Sequence, residues 1–134
     1  MDTDQKAFPA QPVLIVDDDQ ESSFALVVTL RSAGISNLRT VSDTTAVPAM
    51  LASEAFSLVL LDLNMPVLTG YEVLQKTAEL KDRPPFIVVT GSSRPLGLTQ
   101  GARDGALECL AKPVDRDRLV RVVRAALAGG GAQR

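Results

Sequence analysis

Four short apolar runs constrain this chain more than any other feature: 13–16 (VLIV), 57–61 (SLVLL), 86–89 (FIVV) and 106–110 (ALECL), with a weaker fifth at 38–41 (LRTV). Each is too short for a helix core, and the Val and Ile content favours strands. Because the runs are continuously apolar rather than alternating, both faces of such strands must be covered, as in a parallel sheet. The segments between them have helical spacing. In 20–33, Phe24, Leu26, Val27, Leu30 and Ala33 fall near a 3.6 period and Gly34 supplies a stop. In 115–128, Leu119, Val122, Val123, Ala126 and Leu127 share one side, and Arg116, Arg118, Arg121 and Arg124 lie largely elsewhere. Alternation of this kind, with five strands and five helices, predicts a doubly wound α/β domain.

Two helices carry local irregularities. Pro48 is harmless only in a first turn, so the second helix is expected to start late, capped by Thr44 or Thr45. The fourth helix, at 95–104, contains Pro95, Gly97 and Gly101. Each interior glycine costs about 1 kcal/mol relative to alanine, which makes this the least stable helix expected.

At 134 residues the chain is about one domain long. The expected layout is a flexible extension over 1–11, the domain over 12–128 and a flexible glycine-rich tail over 129–134. Fourteen basic residues against sixteen acidic ones give a net charge of −2. That balance favours neither nucleic acid nor a membrane surface as a direct partner. The single Cys109 forms no internal disulfide and no long apolar segment or signal peptide stands out, so the cytoplasm is the expected location. With no histidine in the chain, chemistry must rest on carboxylates, hydroxyls and lysine.

In an open parallel sheet, ligands bind beyond the carboxyl ends of the strands. Here those positions are Asp17, Asp18 and Asp19 after the first strand and Asp62 after the third, with Asn64 two residues on. Thr90, Gly91 and Ser92 follow the fourth, and Lys112-Pro113 the fifth. Taken singly each has an ordinary explanation, and Asp19 in particular suits a helix cap better than a ligand. Acids gathered at one sheet edge repel one another unless a cation sits among them, and a hard divalent ion, Mg²⁺ above all, suits such oxygen donors. A tight reversal aiming the lysine back over the edge predicts a cis Lys112-Pro113 bond.

The stretches VLIVDDD (13–19), LVLLDLNMPVLTGYE (58–72), FIVVTG (86–91) and GALECLAKP (105–113) closely resemble the receiver (CheY-like) domain of two-component response regulators, over about residues 12–128. The resemblance implies a flavodoxin-like sheet of strand order 2-1-3-4-5, a doubly wound order that this family shares with flavodoxin. It further implies a bacterial phosphorelay switch rather than an enzyme with its own substrate. Asp62 would accept the phosphoryl group, and Asp17 and Asp18 would hold Mg²⁺ together with Asp62 and the Asn64 carbonyl. Thr90 would be the switch hydroxyl and Lys112 the phosphate-binding base. The donor would be a phosphohistidine on a sensor histidine kinase or histidine phosphotransfer protein, and the output a protein target meeting residues 91–128, with a homodimer allowed.

Two departures from that family matter. Cys109 stands where the family usually carries Tyr or Phe, which removes an aromatic rotamer switch and shifts the expected response to 91–105. Gly91 stands where Ala is common, which widens access to Asp62. Cys109 itself is expected as a small buried strand residue. The competing reading is a Mg²⁺-dependent phosphohydrolase of haloacid-dehalogenase type, from Asp17-x-Asp19. Glu21 stands where that motif wants Thr or Val, and no cap region follows.

Overall fold

In the computed structural model, which describes residues 7–62, 70–91 and 106–129, the five apolar runs form β1 (Val13–Val16), β2 (Leu38–Val41), β3 (Leu58–Leu61), β4 (Phe86–Thr90) and β5 (Glu108–Ala111). All pairings are parallel and the order is β2-β1-β3-β4-β5, a flavodoxin-like sheet. Four α-helices are described: α1 (Gln20–Ser32), α2 (Val47–Ser53), α3 (Gly70–Lys76) and α4 (Arg116–Leu127). The helix expected at 95–104 lies outside the described residues.

Strand periodicity of two divides the core between the faces. Val13, Ile15, Leu58, Leu60, Ile87, Val89 and Leu110 pack with Leu26 and Leu30 of α1 and Leu119, Val123 and Ala126 of α4. On the other face, Leu14, Val16, Val59, Leu61, Phe86 and Val88 meet Val47 and Leu51 of α2 and Val73 and Leu74 of α3. Each fully buried aliphatic side chain of this kind is worth about 1.5–3 kcal/mol. β2, at an edge, keeps Arg39 and Thr40 exposed, which explains its weaker apolar signal.

Two local expectations need correction. Phe24 is 69% exposed, because two residues turn a helix by about 200° and Leu26 faces the sheet. The buried stripe of α1 is Ser23, Leu26 and Leu30. Ahead of α2 runs a 3-10 turn, Thr44–Ala46, whose cap is Asp43 rather than Thr44 or Thr45: its carboxylate accepts from the Thr45 N–H at 3.0 Å. Pro48 does sit in the first turn of α2. Residues 8–10 are hydrogen-bonded to the loop before β2. Ser36 and Asn37 N–H groups donate to the Phe8 carbonyl at 2.8 and 2.9 Å, and Asn37 Nδ2 donates to the Pro9 and Ala10 carbonyls.

α4 follows its sequence pattern, with Leu119, Val123 and Ala126 buried and its arginines outside. Two of those arginines tie it to the end of α1. Arg116 Nη2 donates to Ser32 Oγ at 2.9 Å and Arg124 Nη2 to the Ala33 carbonyl at 2.7 Å. Among the described residues no helix is long and apolar enough to cross a membrane.

Candidate functional site

Register brings the two central acids side by side. Val16 and Leu61 are paired across β1 and β3, so the next residues, Asp17 and Asp62, leave the sheet together. The Asp62 N–H donates to the Val16 carbonyl at 3.0 Å and the Asp17 N–H to the Val41 carbonyl at 3.1 Å. Both are buried, Asp17 at 3% exposure and Asp62 at 7%, whereas Asp18 is exposed. One carboxylate oxygen from each of the three falls within 4.8 Å of the others.

The lysine arrives from the far side of the sheet. β5 ends at Ala111, opposite Thr90 of β4, and Lys112 follows immediately in a turn whose Lys112-Pro113 bond is cis, as expected. Its Nζ donates to Asp17 Oδ2 at 2.8 Å, Ser22 Oγ at 3.2 Å and Asp62 Oδ2 at 3.4 Å. Burial pulls the Lys112 pKa down, but the hydrogen bond to Asp17 and the charges of Asp62 and Asp17 outweigh it and leave the group above its ordinary value. The ammonium is thus firmly charged.

The residues expected at the site therefore divide into four groups. Asp17, Asp18, Asp62 and Lys112 are brought together. Thr90 is the last residue of β4, level with Ala111, which sets its backbone at the same edge. Asn64 and the segment 92–105 lie outside the described residues. Asp19 is the cap of α1, accepting from the Glu21 N–H at 3.2 Å. That engages the second acid on which the phosphohydrolase reading depended.

Ser22 was not singled out by the sequence. It lies in the first turn of α1 and meets a partner 90 residues away, a contact for which local patterning gives no signal. Cys109 is half-buried rather than buried, since β5 is an edge strand. Burial and then the neighbouring Glu108 charge raise its thiol above the ordinary 9.0.

The donor set fits a hard divalent ion. Three carboxylates face one ammonium, and hard oxygen donors at this spacing match Mg²⁺ chemistry. Beside the cluster, a cleft of about 640 Å³ runs between α1 and α4, lined in part by Ser22, Leu26, Val89, Gly91, Lys112 and Leu119. It gives the edge a side opening that reaches the ammonium.

Known proteins share this fold. A family model of the response regulator receiver domain matches residues 13–124. PilH of Pseudomonas aeruginosa is 34% identical over 120 residues, covering 87% of this chain and 98% of that protein. The C4-dicarboxylate transport transcriptional regulatory protein DctD of Rhizobium meliloti is 34% identical over 117 residues, which are 87% of this chain and 25% of that protein. The chain thus spans nearly all of one relative and about a quarter of the other. Among solved structures, a CheY-like response regulator receiver domain protein from Methanospirillum hungatei superposes with a TM-score of 0.80 at 25% identity, over 92% of this chain and 98% of that one.

Proposed function

The chain belongs to the response regulator receiver family, the phospho-accepting signalling switches of two-component systems, and from that membership we propose that Asp62 is its phosphoryl acceptor. The observation that carries this reading is the Lys112 ammonium bridging two buried aspartates at the heads of β1 and β3. Of the three clustered acids, Asp62 ends a central strand of the sheet and makes the longer contact with Lys112, 3.4 Å against 2.8 Å for Asp17. Toward the ammonium its oxygen is therefore the less tightly held of the two.

Transfer adds a bond from an Asp62 carboxylate oxygen to phosphorus as the phosphorus–nitrogen bond of a donor phosphohistidine breaks. The departing imidazole keeps the electron pair and takes up a proton. These 134 residues contain no histidine, so the phosphohistidine lies outside them, on a sensor histidine kinase or histidine phosphotransfer protein. Asp17, Asp18, Asp62 and the Asn64 carbonyl would hold Mg²⁺, which when bound neutralises charge on the phosphoryl oxygens. Lys112 supplies the complementary positive charge from the β5 side and orients the group. Thr90 is proposed as the switch hydroxyl, and Gly91 as the opening through which water or a small donor enters.

The altered face is proposed over 91–128, where it would meet a downstream protein, with the segment 92–105 outside the described residues. This role is signalling in the cytoplasm. The chain's own chemistry is then limited to taking a phosphoryl group from a donor and losing it to water. Incubation with Mg²⁺ and acetyl phosphate should add one phosphoryl group that hydroxylamine removes. No mass gain with the metal present would reject the reading.

A further inference from the structure

We propose that Ser22 is a positioning residue for Lys112, an inference that rests on Lys112 facing the phosphoryl group. An ammonium has three N–H donors, and in this protein each has an acceptor: Asp17 Oδ2 at 2.8 Å, Ser22 Oγ at 3.2 Å and Asp62 Oδ2 at 3.4 Å. Two of the acceptors are carboxylates that must change partners when a divalent cation or a phosphoryl group arrives. The hydroxyl of Ser22 is the uncharged one, and neither arrival makes a demand on it.

The position of that hydroxyl is fixed by the same acid that binds the lysine. Asp17 Oδ1 accepts from the Asp19 N–H at 2.9 Å, and Asp19 in turn accepts from the Glu21 N–H at 3.2 Å, which sets the first turn of α1. Ser22 is the third residue of that turn and is half-buried. Asp17, the start of α1, Ser22 and Lys112 thereby form a closed ring. Ser22 holds the ammonium beside Asp62 while the carboxylates exchange partners, so that less side-chain freedom is lost during transfer.

Threonine and valine at position 22 share a shape and differ in the hydroxyl, so Ser22→Thr and Ser22→Val separate the hydrogen bond from packing. Two readouts apply to the folded chain. In metal-free protein, the ¹H–¹⁵N signal of the Lys112 ammonium should exchange with water faster in Ser22→Val than in wild type, with Ser22→Thr close to wild type. With Mg²⁺ and acetyl phosphate, the rate of acyl-phosphate formation should fall about tenfold in Ser22→Val, as expected for one lost hydrogen bond to a charged group, and recover in Ser22→Thr. Ser22→Ala gives the same comparison if valine disturbs the helix. Equal ammonium exchange and equal rates in the threonine and valine variants would overturn the inference. Asp62→Asn run in parallel separates the two claims. If that variant still gains a phosphoryl group, the reading of the site fails, whereas a silent Asp62→Asn beside equal Ser22 variants removes the role of Ser22 alone.

Discussion

Asp17 and Lys112 lie 95 residues apart in the chain and meet at 2.8 Å, Oδ2 to Nζ. Their strands are not neighbours: β3 and β4 separate β1 from β5. The lysine side chain therefore reaches back across the carboxyl edge of the sheet and fastens its far strand to the acid cluster at its centre. Structure and chemistry share that contact, since the charge that would orient a phosphoryl group also relieves the repulsion among three aspartates.

Replacing the lysine should expose that repulsion. Lys112→Met leaves Asp17 and Asp62 buried together without their ammonium, and the expected loss, moderated by the partial exposure of the site, is about 2 kcal/mol in urea unfolding of metal-free protein. The pH dependence has a defined sign. Because the folded pKa of Lys112 lies above the ordinary 10.5, the contribution is complete below 10.5 and is lost as pH rises through the folded value. The difference between wild type and Lys112→Met should hold constant from about pH 8 to about pH 10 and shrink above that.

Magnesium should act as a stabilising ligand even without phosphoryl transfer. A cation that binds the folded acids and not the unfolded chain adds about 2.7 kcal/mol at a hundredfold excess over its Kd. Thermal unfolding should therefore shift upward with Mg²⁺ and return with a chelator. Asp17→Asn and Asp18→Asn should each diminish the shift, because each replaces one of the three clustered carboxylates with a neutral amide and weakens the attraction for the cation. An unchanged shift in both variants would place the cation elsewhere.

Much of this was legible in the sequence because the relevant signals are local. An apolar strand followed at once by an acid marks both the strand and a candidate site position, as with Val13–Val16 before Asp17 and Leu58–Leu61 before Asp62. Parallel register then aligns the two acids without further specification. What escaped depends on rotation about a helix or on contacts distant in sequence. Phe24 counted as core because it is apolar at a plausible spacing, yet its direction about α1 is set by Leu26 and Leu30. Ser22 reads as an ordinary helix-start serine until Lys112 is placed beside it. The cap of the 3-10 turn went to Asp43 because its carboxylate accepts from both the N–H and the hydroxyl of Thr45, making the threonine a donor to the cap.

Cys109 should behave as a subdued thiol. Burial and the Glu108 charge raise its pKa above 9.0, so in the folded protein the thiolate is scarce at neutral pH. Alkylation by iodoacetamide should be slow at about pH 7.5, climb only above about pH 9, and speed up markedly in denaturant, where the ordinary value returns. A fast reaction at neutral pH in the folded state would contradict this environment for the thiol.

Whether Asp62 accepts the phosphoryl group is decided by intact mass spectrometry of wild type and Asp62→Asn after incubation with acetyl phosphate and Mg²⁺. Wild type should gain one phosphoryl group, lost on treatment with hydroxylamine and absent when Mg²⁺ is chelated, and Asp62→Asn should gain none. A full gain in Asp62→Asn, or in metal-stripped wild type, would contradict the assignment.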